Sequence, residues 1–139
     1  MNDLIKITSP TGLGIRSDPA GDGHYGAPRG RRKHDGLDFL CKPGQTVRCP
    51  IEAGKVIREA RPYARGTYSG LLIQNKHLAI KIFYLDPWPG VIGKIVQRGE
   101  PIGIAQDVSE KYQGGMEAHI HLAVVSFNPQ ILLEKGESL

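Results

Sequence analysis

Glu117-Ala118-His119-Ile120-His121-Leu122-Ala123-Val124-Val125 is the stretch from which the rest of the chain can be read. Successive strand residues point to opposite faces. As a strand, this segment therefore sets His119, His121 and Ala123 on one side and Ala118, Ile120, Leu122 and Val124 on the other. One face packs aliphatic side chains, and the other presents two imidazoles about 7 Å apart at a rise of ~3.3 Å per residue. Imidazoles so placed can both approach one metal ion, and a third ligand must then come from elsewhere in the chain.

Upstream, His34-Asp35-Gly36-Leu37-Asp38-Phe39-Leu40 supplies it. A turn at Asp35-Gly36 leads into a strand beginning near Leu37, with His34 and Asp38 four residues apart across the bend. His34, Asp38 and His121 make a donor set suited to zinc, whose catalytic sites keep three protein ligands and leave the fourth position to a water of lowered pKa. His119 is then placed to take the proton of that water. Each histidine alone reads as a satisfied or exposed side chain. HxH coupled to HxxxD, in sequence punctuated by glycine, is the more specific signal.

The surrounding sequence reads as short strands. They fall at 46–49, 55–58, 71–74 and 77–85, the last two joined at Asn75-Lys76. Alternation in 77–85 puts Leu78, Ile80, Ile82 and Tyr84 on one face and His77, Ala79, Lys81 and Phe83 on the other, with His77 a solvent-side histidine beside the turn. Glycine and proline before Pro28 predict a long loop with at most one short strand at 13–16. The segment 93–104 loosely echoes 43–47, which hints at a duplicated β unit, and no window before Asn128 has a 3.6-residue apolar period. Asn128-Pro129 predicts the cap and first position of a short terminal helix. The expected fold class is mostly β, with antiparallel sheets.

Composition narrows the function. A chain of 139 residues fits one domain, 1–139, able to bury a core without obligatory staples. Its 18 Lys+Arg against 14 Asp+Glu give +4, mild attraction to anions but too little to indicate nucleic acid. The run Arg29-Gly30-Arg31-Arg32-Lys33 reads either as a solvated turn or, beside His34, as a rim that holds anionic substrate. Nucleic-acid binding through it lacks an aromatic platform or helix signature. Residues 1–6 lack the apolar core of a signal peptide, and no stretch approaches a membrane span. Cys41 and Cys49 are too few for a disulfide framework and lie outside any CxxC spacing, so half-buried free thiols are expected.

These motifs resemble a known family. His34-x-x-x-Asp38, Pro43-Gly44-x-x-Val47-x-x-Pro50-x-x-x-Gly54-x-Val56, Gly93-x-x-Val96-x-x-Gly99-x-x-Ile102-Gly103 and His119-x-His121 are similar, in order and separation, to the lysostaphin-type zinc metalloendopeptidases, which cleave peptide cross-links of bacterial peptidoglycan. The resemblance covers roughly 12–125. It implies a duplicated-hybrid-motif β fold with Zn²⁺ held by His34, Asp38 and His121, and His119 as general base. Active members carry a Tyr-x-His-Leu segment whose histidine stabilises the transition state; here the stretch is Ile82-Phe83-Tyr84-Leu85, so Tyr84 stands in that place. Segments 34–41 and 81–84 further resemble the leukocyte cell-derived chemotaxin-like branch, which has the zinc site and no established peptidase role. The implied partners are peptidoglycan peptides and anionic wall polymers, reached by a phage-borne or delivered protein. The alternative is a zinc-bearing binding or structural module of the same fold.

Overall fold

The structure is a computed structural model that describes residues 3–112 and 114–133. Its strands, in chain order, are β1 (Ser17–Asp18), β2 (Gly21–Asp22), β3 (Pro28–Arg29), β4 (Arg32–Lys33), β5 (Leu37–Leu40), β6 (Thr46–Arg48), β7 (Gly54–Glu59), β8 (Gly70–Gln74), β9 (Leu78–Phe83), β10 (Leu85–Pro87), β11 (Ile95–Val96), β12 (Pro101–Ala105) and β13 (His119–Phe127). An antiparallel six-stranded sheet runs β11-β7-β8-β9-β13-β5, and β10-β12-β6 form a second sheet. Two short ribbons, β1-β2 and β3-β4, complete the described strands. The mostly β, antiparallel architecture is the one the residue alternation predicts. Among the described residues no helix is long and apolar enough to cross a membrane.

Burial follows side-chain parity. Ile80 and Ile82 of β9 and Ile120 and Leu122 of β13 are fully buried with Ile73 of β8, and the small sheet adds Val47, Leu85 and Ile102. Each such side chain contributes about 1.5–3 kcal/mol by leaving water. The same parity sends His121 to the opposite face, where it pairs across to Asp38 of β5 and to Phe83 of β9. Slipping β13 by one residue would drive both imidazoles into this core, so hydrophobic burial itself fixes the register of the site.

The structure differs from the sequence reading in several places. The first 28 residues carry the β1-β2 ribbon, and the strand expected at 13–16 is an edge segment beside β5: the Arg16 amide donates to the Asp38 carbonyl (2.8 Å) and the Leu40 amide to that of Gly14 (2.9 Å). The strand expected over 77–85 is two strands in different sheets, because Tyr84 between them has φ +78°. The turn before β9 is built by Asn75, whose Oδ1 accepts from the amides of His77 and Leu78. His77 is half-buried rather than solvent-side, with Nδ1 enclosed and unpartnered. The terminal helix is a single 3-10 turn, Pro129–Leu132, capped by Asn128. Cys41 and Cys49 are free and buried rather than half-buried, and burial pushes both thiols up to about 11.

Candidate metal centre

His34, Asp38 and His121 reach the centre from the end of β4, from β5 and from β13. His34 Nδ1–H donates to the His24 carbonyl (3.1 Å); because a carbonyl only accepts, the lone pair of a neutral His34 lies on Nε2. That atom is 3.2 Å from His121 Nδ1 and 3.2 Å from Asp38 Oδ1, and His121 Nδ1 is 2.9 Å from the same oxygen. Three acceptor-capable atoms thus converge in a triangle that needs a shared proton or a cation at its centre. Bonds of ~2.0–2.2 Å at tetrahedral angles put ligand atoms roughly 3.3 Å apart, so the triangle fits the face of a tetrahedral ion. Gly36 allows this closeness: a Cβ there would stand 2.3 Å from the Leu122 carbonyl oxygen and 2.8 Å from the His121 ring.

A looser grouping replaces Asp38 by Asp35, with His34, Asp35 and His121 ligand atoms all within 4.8 Å. Asp35 Oδ1 lies 3.5 Å from His121 Nε2, but its side chain is 86% exposed. Asp38 is buried, and one of its oxygens is close to both imidazoles, so it is the better-positioned third ligand. Asp35 then sits where it can accept from the far nitrogen of His121.

His119 is also buried, and its Nδ1–H donates to the Glu117 carbonyl (2.9 Å). Burial disfavours its imidazolium and lowers its pKa, against the pull of Asp38. Its Nε2 lies 3.8 Å from Asp38 Oδ2, so a neutral ring offers the centre a lone pair.

Sequence reasoning did not find the group that holds Asp38. Arg16, 1% exposed, donates from Nε and NH2 to Asp38 Oδ2 (3.3 and 3.2 Å) and from NH1 to Asp18 Oδ1 (2.8 Å). Asp18 Oδ2 in turn accepts the Glu117 amide (2.9 Å), just ahead of His119. One buried clamp therefore fixes the free oxygen of Asp38 and the start of the strand that carries both imidazoles. Burial pushes the Asp38 carboxyl up, but the His121 hydrogen bond and the charges of His119, His121 and His34 hold it below the usual carboxylate range.

The centre opens into a groove of about 650 Å³. Arg29, Arg32 and Lys33 line one side and Tyr63, Tyr84 and Tyr112 another, whereas Arg31 lies outside it. The Phe83 ring stacks on His121 (6.0 Å, 9°). Parity in β9 predicts a core-facing Tyr84, and it is buried at the edge of the core, but its positive φ ends the strand and its ring stands edge-on to His119 (5.5 Å), where it also lines the groove. Tyr84 OH is 2.8 Å from Tyr63 OH, which bonds Tyr112 OH in turn. Burial pushes Tyr84 up to about 12, which keeps its proton in place as a donor.

No protein-family model matches the chain. It is 32% identical to mouse (Mus musculus) leukocyte cell-derived chemotaxin-2 and 34% identical to the cattle (Bos taurus) protein, each over 109 residues covering 76% of this chain and 68% of the relative. Among solved structures it is similar to the catalytic domain of the antimicrobial peptidase lysostaphin from Staphylococcus simulans, with a TM-score of 0.53, 24% identity and coverage of 82% of this chain and 84% of that one. It is also similar to a zinc containing peptidase from Vibrio cholerae, with a TM-score of 0.50, 23% identity and coverage of 85% and 37%. The fold is thus that of the lysostaphin-type peptidases, and on sequence identity the chain belongs to the family of the leukocyte cell-derived chemotaxin-2 proteins.

Proposed function

We propose that the chain, as one domain over 1–139, is a zinc metalloendopeptidase that hydrolyses peptide cross-links of bacterial peptidoglycan. The observation that carries this reading is the convergence of His34 Nε2, Asp38 Oδ1 and His121 Nδ1 beside a buried His119 with a free Nε2. His34, Asp38 and His121 would hold Zn²⁺, which when bound would supply an activated water and polarise the scissile carbonyl. His119 accepts the proton of that water at Nε2 and returns it to the leaving amine. Tyr84 donates its hydroxyl hydrogen to the developing oxyanion, and Tyr63 holds that hydroxyl in direction. The cations of the groove hold anionic wall material.

Incubating the protein with peptidoglycans of different cross-link chemistry, with and without chelator, tests this by mass spectrometry of released fragments. New termini that disappear on chelation are expected. His119→Ala should keep near-stoichiometric zinc and lose turnover, whereas His121→Ala should lose both. Equal metal loss in the two variants refutes the division of roles. The similarity to chemotaxin-2 favours a second reading, a zinc-bearing binding module without turnover. Intact peptidoglycan of every type, in the presence of full zinc, would select it.

A further inference from the structure

The basic wall of the groove has an arrangement that a solvated turn does not require. The β3-β4 ribbon closes through Gly30-Arg31, with Gly30 at φ +62°, and its register sets Arg29 directly opposite Arg32. Directly opposed residues project from one face of a ribbon, and like charges so placed repel. Here both face the groove, with Lys33 beside them. Arg29 is partly compensated: NH2 donates to the Asp22 carbonyl (2.8 Å) and lies 3.5 Å from Asp38 Oδ2, and NH1 donates to the Pro28 carbonyl (3.0 Å). Its Nε–H and one NH1 hydrogen remain. The side chains of Arg32 and Lys33 form no hydrogen bond or ion pair with any described residue. The other carboxylate lining the groove, Asp35, faces His121.

We propose that Arg29 and Arg32 form a subsite for a free peptide carboxylate, so that the substrates are peptides with a carboxylate one or two residues from the bond cleaved. The location follows from Arg29. Its guanidinium contacts the outer oxygen of Asp38 while the inner oxygen faces His34 and His121, and a residue spans at most ~3.6 Å. A carboxylate on the free edges of the two guanidiniums therefore lies within about two residues of the centre. It removes the like-charge repulsion of the pair and accepts charge-assisted bonds from both. The tyrosine side of the groove is left for the uncharged part of the peptide. This assignment rests on the peptidase reading for its substrate, but not for its binding.

The test is peptide titration of the chelated protein by NMR, which reads binding without turnover. Two probe pairs separate the sources of the carboxylate: N-acetyl-triglycine against its C-terminal amide, and N-acetyl-Gly-Glu-Gly-amide against the Gln analogue. At least one acid should bind about 10-fold tighter than its neutral partner, the lower end expected for bonds to charged groups. Discrimination in the first pair assigns a terminal carboxylate, and in the second an acidic side chain. Arg32→Gln should bring the ratio close to one, while Arg31→Gln, outside the groove, should leave it intact. Equal binding of acid and amide in both pairs overturns the subsite, as does a ratio that survives Arg32→Gln. Inorganic phosphate that binds the wild type without any acid-over-amide preference also overturns it. Carboxylate discrimination in a protein that cleaves no peptidoglycan would keep the subsite and reject the peptidase.

Discussion

Asp38→Ala is expected to lose the metal and also to destabilise the metal-free fold by about 3 kcal/mol, whereas His121→Ala should lose the metal at a fold cost of only about 1 kcal/mol. The difference comes from what stands behind each side chain. Removing Asp38 leaves Arg16, 1% exposed, with half of its carboxylate partners, and breaking a buried pair costs about 3–5 kcal/mol. Asp18 still pairs with Arg16, which sets the lower end of that range. Removing His121 deletes its contacts to His34 and to the exposed Asp35, its stacking on Phe83 and one hydrogen bond to Asp38, but leaves that carboxylate its arginine and no buried charge unpaired. Urea denaturation of the chelated proteins, alongside zinc titration, separates the two effects. Equal chelated stabilities would show that Arg16 does not depend on Asp38.

The acid dependence of the chelated protein has the corresponding sign. Burial would raise the Asp18 carboxyl, but the Glu117 amide, Arg16 and the Ala20 amide outweigh it, and Asp38 is likewise held below its ordinary value. A carboxyl depressed in the folded state contributes stability that is complete above its unfolded value, about 4, and lost as the pH falls through its folded one. Stability should therefore decline as the solution is acidified below about pH 4, and less steeply in Asp38→Ala.

The parts of this site legible in the sequence are those governed by local rules. Two-residue periodicity placed His119 and His121 on one face, and the Asp35-Gly36 bend put His34 within reach of Asp38. Arg16 and Asp18 escaped because their partners are distant in sequence: Arg16 meets Asp38 across 22 residues, and Asp18 meets the Glu117 amide across 99. An arginine in a glycine-rich stretch reads as solvated, since arginines are almost never buried without a partner and that partner cannot be seen locally. Tyr63 and Tyr112 lie in loops with no period to read. Tyr84 keeps the buried place that parity gives it, but the strand break at this residue had no local signal. The Ser69 carbonyl accepts both the Tyr84 amide (2.8 Å) and the Leu85 amide (3.3 Å), and this bulge turns one strand into two.

Tyr84→Phe is expected to lower turnover about 10²- to 10³-fold with zinc and fold retained, the cost of removing one oxyanion donor. A tyrosine at φ +78° costs of order 1–3 kcal/mol of backbone strain, which persists only where the surroundings fix it. Here the Tyr84 amide is bound by Ser69, its carbonyl accepts the Gln106 amide (2.9 Å), and its ring is edge-on to His119. In the chain Tyr112, Tyr63, Tyr84 each hydroxyl can donate once. With donation running inward from the half-exposed Tyr112, the Tyr84 proton is free for the groove. Phenylalanine preserves the ring contact and loses the hydroxyl, both the proton offered to the groove and the oxygen that accepts from Tyr63, at a stability cost of about 1 kcal/mol. Tyr63→Phe should lower turnover less, because Tyr63 orients the donor without being it. Tyr84→His, introducing the residue type that the resemblance implies for active members, should match or exceed the wild type. Unchanged kcat in Tyr84→Phe would leave His119 and the metal as the whole apparatus. An inert wild type that gains hydrolysis through Tyr84→His would make the natural protein a zinc-bearing binding module, in which the strained tyrosine closes the oxyanion site.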